Sequence, residues 1–320
     1  MTAHTKSVAD IPYTRGLHQL NDTCHAWLVP DGTWGWSNAG LVTGDGESLL
    51  VDTLFDLAMT REMLDGLAPV TADAPIRTVV NTHANGDHWF GNELVADAEI
   101  IASTPTAEEM AANGPDLLLG MLQQPGATGR FAQHIFEPFD FTGITPTLAT
   151  RTFDKELELS VGGTRVLLHN LGPAHTAGDS VVFVPAERTL YTGDLLFIGG
   201  TPISWAGPIS NWVAACQFML DLDVDTIVPG HGPVTDKAGV QSVMDYLQFV
   251  EKEAADRHAR GMSAEDAMRD ISLGRFAELD ERGRLAQNVL AVYYELDPQL
   301  ERVDTREVFR RIADLEGWTD

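Results

Sequence analysis

Within the stretch Asn81-Thr82-His83-Ala84-Asn85-Gly86-Asp87-His88, two imidazoles, a carboxylate and an amide fall within six residues, directly after the apolar run Ile76 to Val80. Imidazole and carboxylate are the nitrogen and oxygen donors that suit divalent metals, so a strand ending in them reads as half of a metal site. Three later loops supply the same residue types: Gly172-Pro173-Ala174-His175-Thr176-Ala177-Gly178-Asp179, Tyr191-Thr192-Gly193-Asp194, and Val228-Pro229-Gly230-His231-Gly232-Pro233. Each follows a short apolar run of strand type. One histidine alone is more often a core or surface residue than a ligand; the order of all four loops is what carries the signal.

The elements that position these loops follow from hydrophobic periodicity. Apolar segments at Ala26–Val29, Gly40–Thr43 and Leu49–Val51, separated by the turn signals Pro30-Asp31-Gly32 and Gly44-Asp45-Gly46, predict an antiparallel meander. A helix from Phe55 to Leu67 and a strand at Ile76–Val80 then lead into the first ligand loop. A second helix is expected to begin at His88 or Trp89. Glu99–Ala102 reads as a strand, and Thr104 as the start of a helix with a Thr106-to-Glu109 capping box. Residues 114–147 break the pattern with scattered glycine, proline and phenylalanine, and read as a lid over the site or an added helix on the sheet. Strands at Leu157–Leu159, Thr164–His169, Ser180–Val184, Thr189–Tyr191 and Thr226–Val228, with a helix over Asn211–Leu220, bring in the remaining ligand loops. Strand–helix alternation in two rounds predicts a four-layer αββα sandwich over residues 1–260. Residues 261–320 read as a helical extension, with Leu285, Val289, Val292, Tyr293 and Leu296 on one face, packed on the core or on a partner subunit.

The four loops together resemble the metallo-β-lactamase superfamily, whose HxHxDH motif followed by His, Asp and His builds two adjacent metal sites. The resemblance spans Ser37 to Pro233 and implies the same αββα fold. Carried across residue by residue, it implies one site of His83, position 85 and His175, and a second of Asp87, His88 and His231, with Asp194 bridging. Position 85 departs from the pattern: where the family has histidine this chain has Asn85, a neutral amide oxygen at best. One tightly bound ion at Asp87, His88, Asp194 and His231 is therefore expected, with a second, weaker site at His83, Asn85 and His175. Zinc is the first choice, with iron or manganese open to the oxygen-rich set. Asp87, His83 and His175 become the acid–base candidates. Asp52, at the end of a neighbouring strand, is the candidate to orient a ligand histidine from behind.

Composition limits the partners. The chain of 320 residues is 44% hydrophobic, ordinary for a globule, but 21 Lys plus Arg against 47 Asp plus Glu leave a formal charge of −26. Such a surface repels phosphate backbones and anionic membranes, so neither nucleic acid nor membrane is expected as a partner. No apolar run of membrane-spanning length occurs, and Met1 to Asp10 lacks a signal-peptide core; a cytoplasmic protein is expected. Cys24 and Cys216 are too few for a disulfide framework and read as buried small hydrophobes.

Trp34 and Trp36 at a turn, and Trp89 and Trp205 close after ligand positions, are candidates to line a pocket, with His134 in the lid stretch as a further contact. His25 and His169 lie in strand-like runs and read as structural; His4, His18 and His258 read as surface residues. No Lys or Arg flanks a ligand loop, so a small neutral organic substrate is expected. The segments DGTWGWSNAGL, VDTLFDL and NTHANGDH are similar to the hydrolytic chlorothalonil dehalogenases of the same fold, which implies metal-bound hydroxide attacking an electron-poor ring carbon with chloride leaving. Ester, thioester, lactone and β-lactam hydrolysis remain open within the class. A mononuclear iron oxygenase and a non-catalytic binding protein are the alternatives outside it, and a homodimer is the assembly left open.

Overall fold

The computed structural model describes residues 7–320; His4 lies outside them. Four antiparallel strands, β1 (Gly16–Gln19), β2 (Cys24–Leu28), β3 (Ala39–Thr43) and β4 (Ser48–Val51), open the first sheet. Helix α1 (Leu57–Thr71) crosses over to β5 (Ile76–Val80), which pairs parallel to β4. Parallel pairing continues to β6 (Glu99–Ser103), and helices α2 (Thr104–Ala112), α3 (Asp116–Leu122) and α4 (Gly126–Phe136) lead on to β7 (Arg151–Phe153). The second sheet runs β8 (Glu156–Val161), β9 (Thr164–Asn170), β10 (Ser180–Val184), β11 (Thr189–Tyr191), then, through α5 (Ile209–Asp221), β12 (Thr226–Val228). Helices α6 (Lys237–His258), α7 (Ala264–Asp270), α8 (Leu285–Leu296) and α9 (Thr305–Leu315) complete the chain.

Strand alternation decides which side chains meet, because successive residues point to opposite faces. Leu49 and Val51 of β4 and Val80 of β5 pack with Val166, Leu168, Val182 and Tyr191 between the two sheets. Leu50 and Val79 point the other way, onto Met59, Met63 and Leu67 of α1. On the far side Val181, Phe183 and Leu190 cover Trp212, Cys216 and Val240 of α5 and α6. The result is the four-layer αββα sandwich expected from the pattern. Each fully buried Leu or Met contributes about 1.5–3 kcal/mol. The Tyr191 hydroxyl crosses the interface to donate to the His25 carbonyl at 3.0 Å. Gly40 makes room for that ring, since a Cβ there would stand 2.3 Å from Tyr191.

Local expectations differ from the structure in three places. No α-helix begins at His88: two 3-10 turns, Gly86–His88 and Phe90–Val95, flank Trp89, whose φ of −146° breaks the helical path. The Thr106–Glu109 capping box is absent; Ser103 caps α2 through Thr106 N, while Glu109 accepts from Ala177 N at 3.1 Å in a ligand loop. On α8, Leu285, Val289, Val292 and Tyr293 are buried, but Leu296 is 46% exposed because the helix ends there. The expected extension packs on the body of the chain: α8 lies against α6 and α7, and α9 against α4 and α8. Cys24 and Cys216 are free and buried. No helix among the described residues is long and apolar enough to cross a membrane.

Candidate metal centre

Six of the sequence-selected side chains meet where the two sheets' ligand loops converge. Asp194 is the hub. Its Oδ2 lies 3.6 Å from His83 Nε2 and 3.3 Å from His175 Nε2, and its Oδ1 lies 3.1 Å from His88 Nε2 and 3.4 Å from His231 Nε2. Asp87 Oδ2 is 3.2 Å from His231 Nε2 and 3.8 Å from His88 Nε2. All six side chains are buried.

The far nitrogens set the tautomers. His175 Nδ1 faces the Ile203 carbonyl at 2.6 Å and His231 Nδ1 the Gly32 carbonyl at 3.0 Å, so each Nδ1 carries the proton. Asp52 Oδ2 takes His88 Nδ1 at 2.9 Å and the Thr82 hydroxyl at 2.8 Å. With its own proton committed to Asp52, the Thr82 oxygen accepts from His83 Nδ1 at 3.0 Å. With a metal in place of the protons, four imidazoles held this way would each be neutral and turn an Nε2 lone pair toward one carboxylate.

Lone pairs facing lone pairs repel unless a cation stands among them. The Nε2 atoms of His83, His88 and His175 and Asp194 Oδ1 make no hydrogen bond. Two donors each about 2.1 Å from one tetrahedral ion stand about 3.4 Å apart, which the spacings around Asp194 reproduce. The donor set therefore fits a divalent metal of the zinc type. Two triads have every donor atom within 4.8 Å of the others: His83, His88 and Asp194, and Asp87, His88 and His231.

Titration behaviour follows from the same crowding. Burial alone would push the His88 imidazole down, but Asp194, Asp87 and Asp52 outweigh it and hold it well above its ordinary range. His231 is likewise buried yet raised to about 9 by Asp194 and Asp87. His83 is held well below its usual value by burial and by His88, and burial pushes His175 down to about 4. Burial would raise the Asp194 carboxyl, but His231, His88 and His83 win and keep it well below the carboxylate range. Protons on His88 and His231 thus supply the positive charge that a metal would replace.

A cavity of about 290 Å³ opens above the cluster. Trp34 and Trp205 line it, as the sequence suggested, and Asn85 sits half-buried on its wall. The other pocket candidates do not line it. Trp89 is fully buried and donates to the Ala84 carbonyl at 2.9 Å, because the turn after His88 folds its ring inward. Trp36 is drawn away against Phe139, ring centroids 4.7 Å apart. His134 is exposed on the outer face of α4, 5.2 Å from the Trp318 ring. His18 and His258 are half-buried rather than exposed, the latter edge-on to Tyr293. Leu117, Leu118, Met121 and Phe136 from residues 114–147 form one wall.

Sequence reasoning missed three participants. Asp179 ties the His175 loop together by accepting from Ala174 N, Thr176 N and the Thr176 hydroxyl; it was visible four residues beyond His175, and nothing local marked it. Phe309 on α9 and Arg284 at the head of α8 line the cavity from the far end of the chain. No Lys or Arg flanks a ligand loop in sequence, but the fold brings Arg284 to the cavity wall, so the absence of a flanking cation did not mean the absence of one at the site. The distance of Arg284 along the chain from every ligand loop hid it.

An αββα sandwich with a buried His/Asp cluster beneath a cavity defines a metal-binding fold of two facing sheets. The family model for the metallo-beta-lactamase superfamily matches residues 32–231, and the chain belongs to that superfamily. It is 29% identical over 213 residues to the 2,4-dinitroanisole O-demethylase subunit alpha of Nocardioides sp. (strain JS1661), covering 64% of this chain and 54% of that one. The alkyl/aryl-sulfatase BDS1 of Saccharomyces cerevisiae is 19% identical over 294 residues, 80% of this chain and 46% of that protein. The chain thus spans about half the length of these curated relatives. Among solved structures, the sec-alkylsulfatase Pisa1 from Pseudomonas sp. aligns with a TM-score of 0.65 at 17% identity, covering 95% of this chain and 54% of that one, and shares the fold.

Proposed function

We propose that the chain is a metal-dependent hydrolase acting on a small, neutral organic electrophile. The observation that carries this reading is the convergence of four imidazole Nε2 atoms and two carboxylates at the floor of an aromatic-lined cavity. Asp87, His88, His231 and Asp194 Oδ1 would hold one ion; His83, His175 and Asp194 Oδ2, with Asn85, would form the weaker site. Such a metal supplies a Lewis acid and lowers the pKa of a coordinated water to about 7. Asp52 orients His88, and the Ile203 and Gly32 carbonyls orient His175 and His231. Where the weaker site is empty, His83 and His175, both held below their ordinary range, are unprotonated at neutral pH, so Nε2 of either can accept a proton from water. Their lowered values count against protonating a leaving group.

The aromatic walls and acidic surface favour a flat, uncharged substrate over nucleic acid. Hydrolytic displacement on an activated aromatic ring fits: water oxygen bonds to the ring carbon, the carbon–chlorine bond breaks, and chloride and a proton leave. A relative named for 2,4-dinitroanisole, itself an electron-poor aryl ether, supports an aromatic substrate. Esters, thioesters, lactones and β-lactams are the competing substrates. The test is elemental analysis of purified protein followed by a screen of aryl halides, aryl ethers, esters and lactones. Bound zinc with oxygen-independent turnover that disappears in Asp194→Ala and His231→Ala is expected. Full turnover by a metal-free variant would refute the reading, and strict oxygen dependence would move it to an iron oxygenase.

A further inference from the structure

Beyond the residues matched by the family model, α9 gives one face to the cavity: Thr305 and Phe309, a helical turn apart, both line it, while Val308, Ile312 and Ala313 are buried in the core. Phe309 is where the rings of the aromatic wall meet. Its centroid lies 5.5 Å from Trp34, 6.0 Å from Trp205 and 6.1 Å from Phe136, and all three of these rings line the same cavity. Two of them belong to segments that hold ligand histidines. Trp34 follows Gly32, whose carbonyl faces His231 Nδ1 at 3.0 Å, and Trp205 follows Ile203, whose carbonyl faces His175 Nδ1 at 2.6 Å. Trp205 N also donates to the His175 carbonyl at 2.7 Å. Phe309 therefore backs the wall beside the ligand cluster rather than the outer rim, where Leu117 lines the cavity while 41% exposed.

The ring acts through its volume. Phe309 is 3% exposed, so little of its surface is offered to a ligand, but it fills space that a larger ligand would need. The helix that carries it is tied down: Ala127 N donates to Asp320 Oδ1 at 2.5 Å, Arg130 Nη2 to the Thr319 carbonyl at 2.8 Å, and the Trp318 ring stands 6.0 Å from Phe131 on α4. A wall fastened in this way does not swing aside. The cavity of about 290 Å³ compares with about 150 Å³ for a void that holds benzene, and a water takes about 30 Å³ more, which leaves room for one ring and its substituents. We infer that Phe309 is a specificity-determining residue that limits this cavity to substrates built on one flat ring, so that the helix beyond the family-matched residues is part of the substrate site. The inference rests on the cavity being the substrate site, as proposed above, and names the size class that site accepts.

Benzyl alcohol and 2-naphthalenemethanol carry the same neutral group on one ring and on two. Neither needs turnover, so binding is read by equilibrium dialysis on the metal-loaded full chain. Four extra ring carbons, each worth about fourfold when buried, would favour the larger probe by roughly 250-fold in an open site; the wild-type ratio is expected to stay below about tenfold. In Phe309→Ala that ratio is expected to rise at least tenfold above the wild-type value, because the second ring then finds apolar contact where the phenyl group stood. Phe309→Leu, the milder change, should move it less and in the same direction. Phe131→Ala is the control: Phe131 is buried, lies 6.3 Å from Phe309 and does not line the cavity, so its loss loosens the seat of α9 without enlarging the cavity, and the ratio is expected to stay at the wild-type value. Circular dichroism checks the fold of each variant, and if neither Phe309 variant folds the wild-type ratio decides alone. A wild-type ratio of tenfold or more, a ratio unchanged in the folded Phe309 variants, or an equal rise in Phe131→Ala overturns the inference. A chain that passes these tests yet hydrolyses nothing loses the hydrolase reading alone; one that hydrolyses but fails them loses only the role of Phe309.

Discussion

Replacing Asp52 with asparagine should weaken metal binding without unfolding the protein. Asp52 is 2% exposed and has φ of +63°, a left-handed conformation that asparagine tolerates better than most residues. Its two oxygens face three donors: Thr82 N at 2.7 Å on Oδ1, and the Thr82 hydroxyl and His88 Nδ1 on Oδ2. An amide cannot accept on both sides. With its NH2 toward Thr82 N, two donors collide; with its NH2 toward His88, Nδ1 must become the acceptor and the proton moves to Nε2, closing the lone pair aimed at Asp194. Loss of such an orienting partner typically costs about 10- to 100-fold in metal affinity, or about 1.4–2.7 kcal/mol. The same range follows from one hydrogen bond to a charged group, about 1.5–3 kcal/mol. Competition with a chromophoric chelator measures it, and circular dichroism checks the fold. Unchanged affinity in a folded Asp52→Asn protein would refute the assignment of His88 as a neutral Nε2 donor held by Asp52.

Three further outcomes are expected. Asn85→His should raise the bound metal per chain, read by elemental analysis, because it places an imidazole where a half-buried amide now lines the cavity; a stoichiometry unchanged near one would show that position 85 does not limit the weaker site. Gly230→Ala should empty the centre while leaving the helical content intact, since the added Cβ would stand 2.0 Å from Asp194 Oδ1 and force the hub carboxylate aside; full metal content would count against Asp194 as the hub. Glu307 on α9 is drawn down from 4.5 to about 2 by hydrogen bonds from Arg310 and Arg311. A depressed carboxyl stabilises above its unfolded pKa and loses that contribution as pH falls through the folded value. The wild type should therefore melt slightly above Glu307→Gln at pH 7, by a small margin because the ion pairs are solvated, and the gap should close between pH 4.5 and about 2.

The sequence by itself determined the layered fold and the donor set. Both are written locally: strand residues alternate between two buried faces, as Leu49, Leu50 and Val51 do, and His83, Asp87, His88, His175, Asp194 and His231 fall in loops directly after strands. Only the tertiary structure decided how Asp194 divides its two oxygens between pairs of imidazoles, and which aromatic rings face the cavity. Trp34 and Trp89 look alike in sequence, each beside a turn, yet one lies under Arg284 and the other is sealed in the core. Arg284 and Phe309 reach the cavity from helices beyond the last ligand loop. An amphipathic helix announces that it has a buried face, but whether that face meets a sheet or the wall of a cavity depends on how the chain closes over itself.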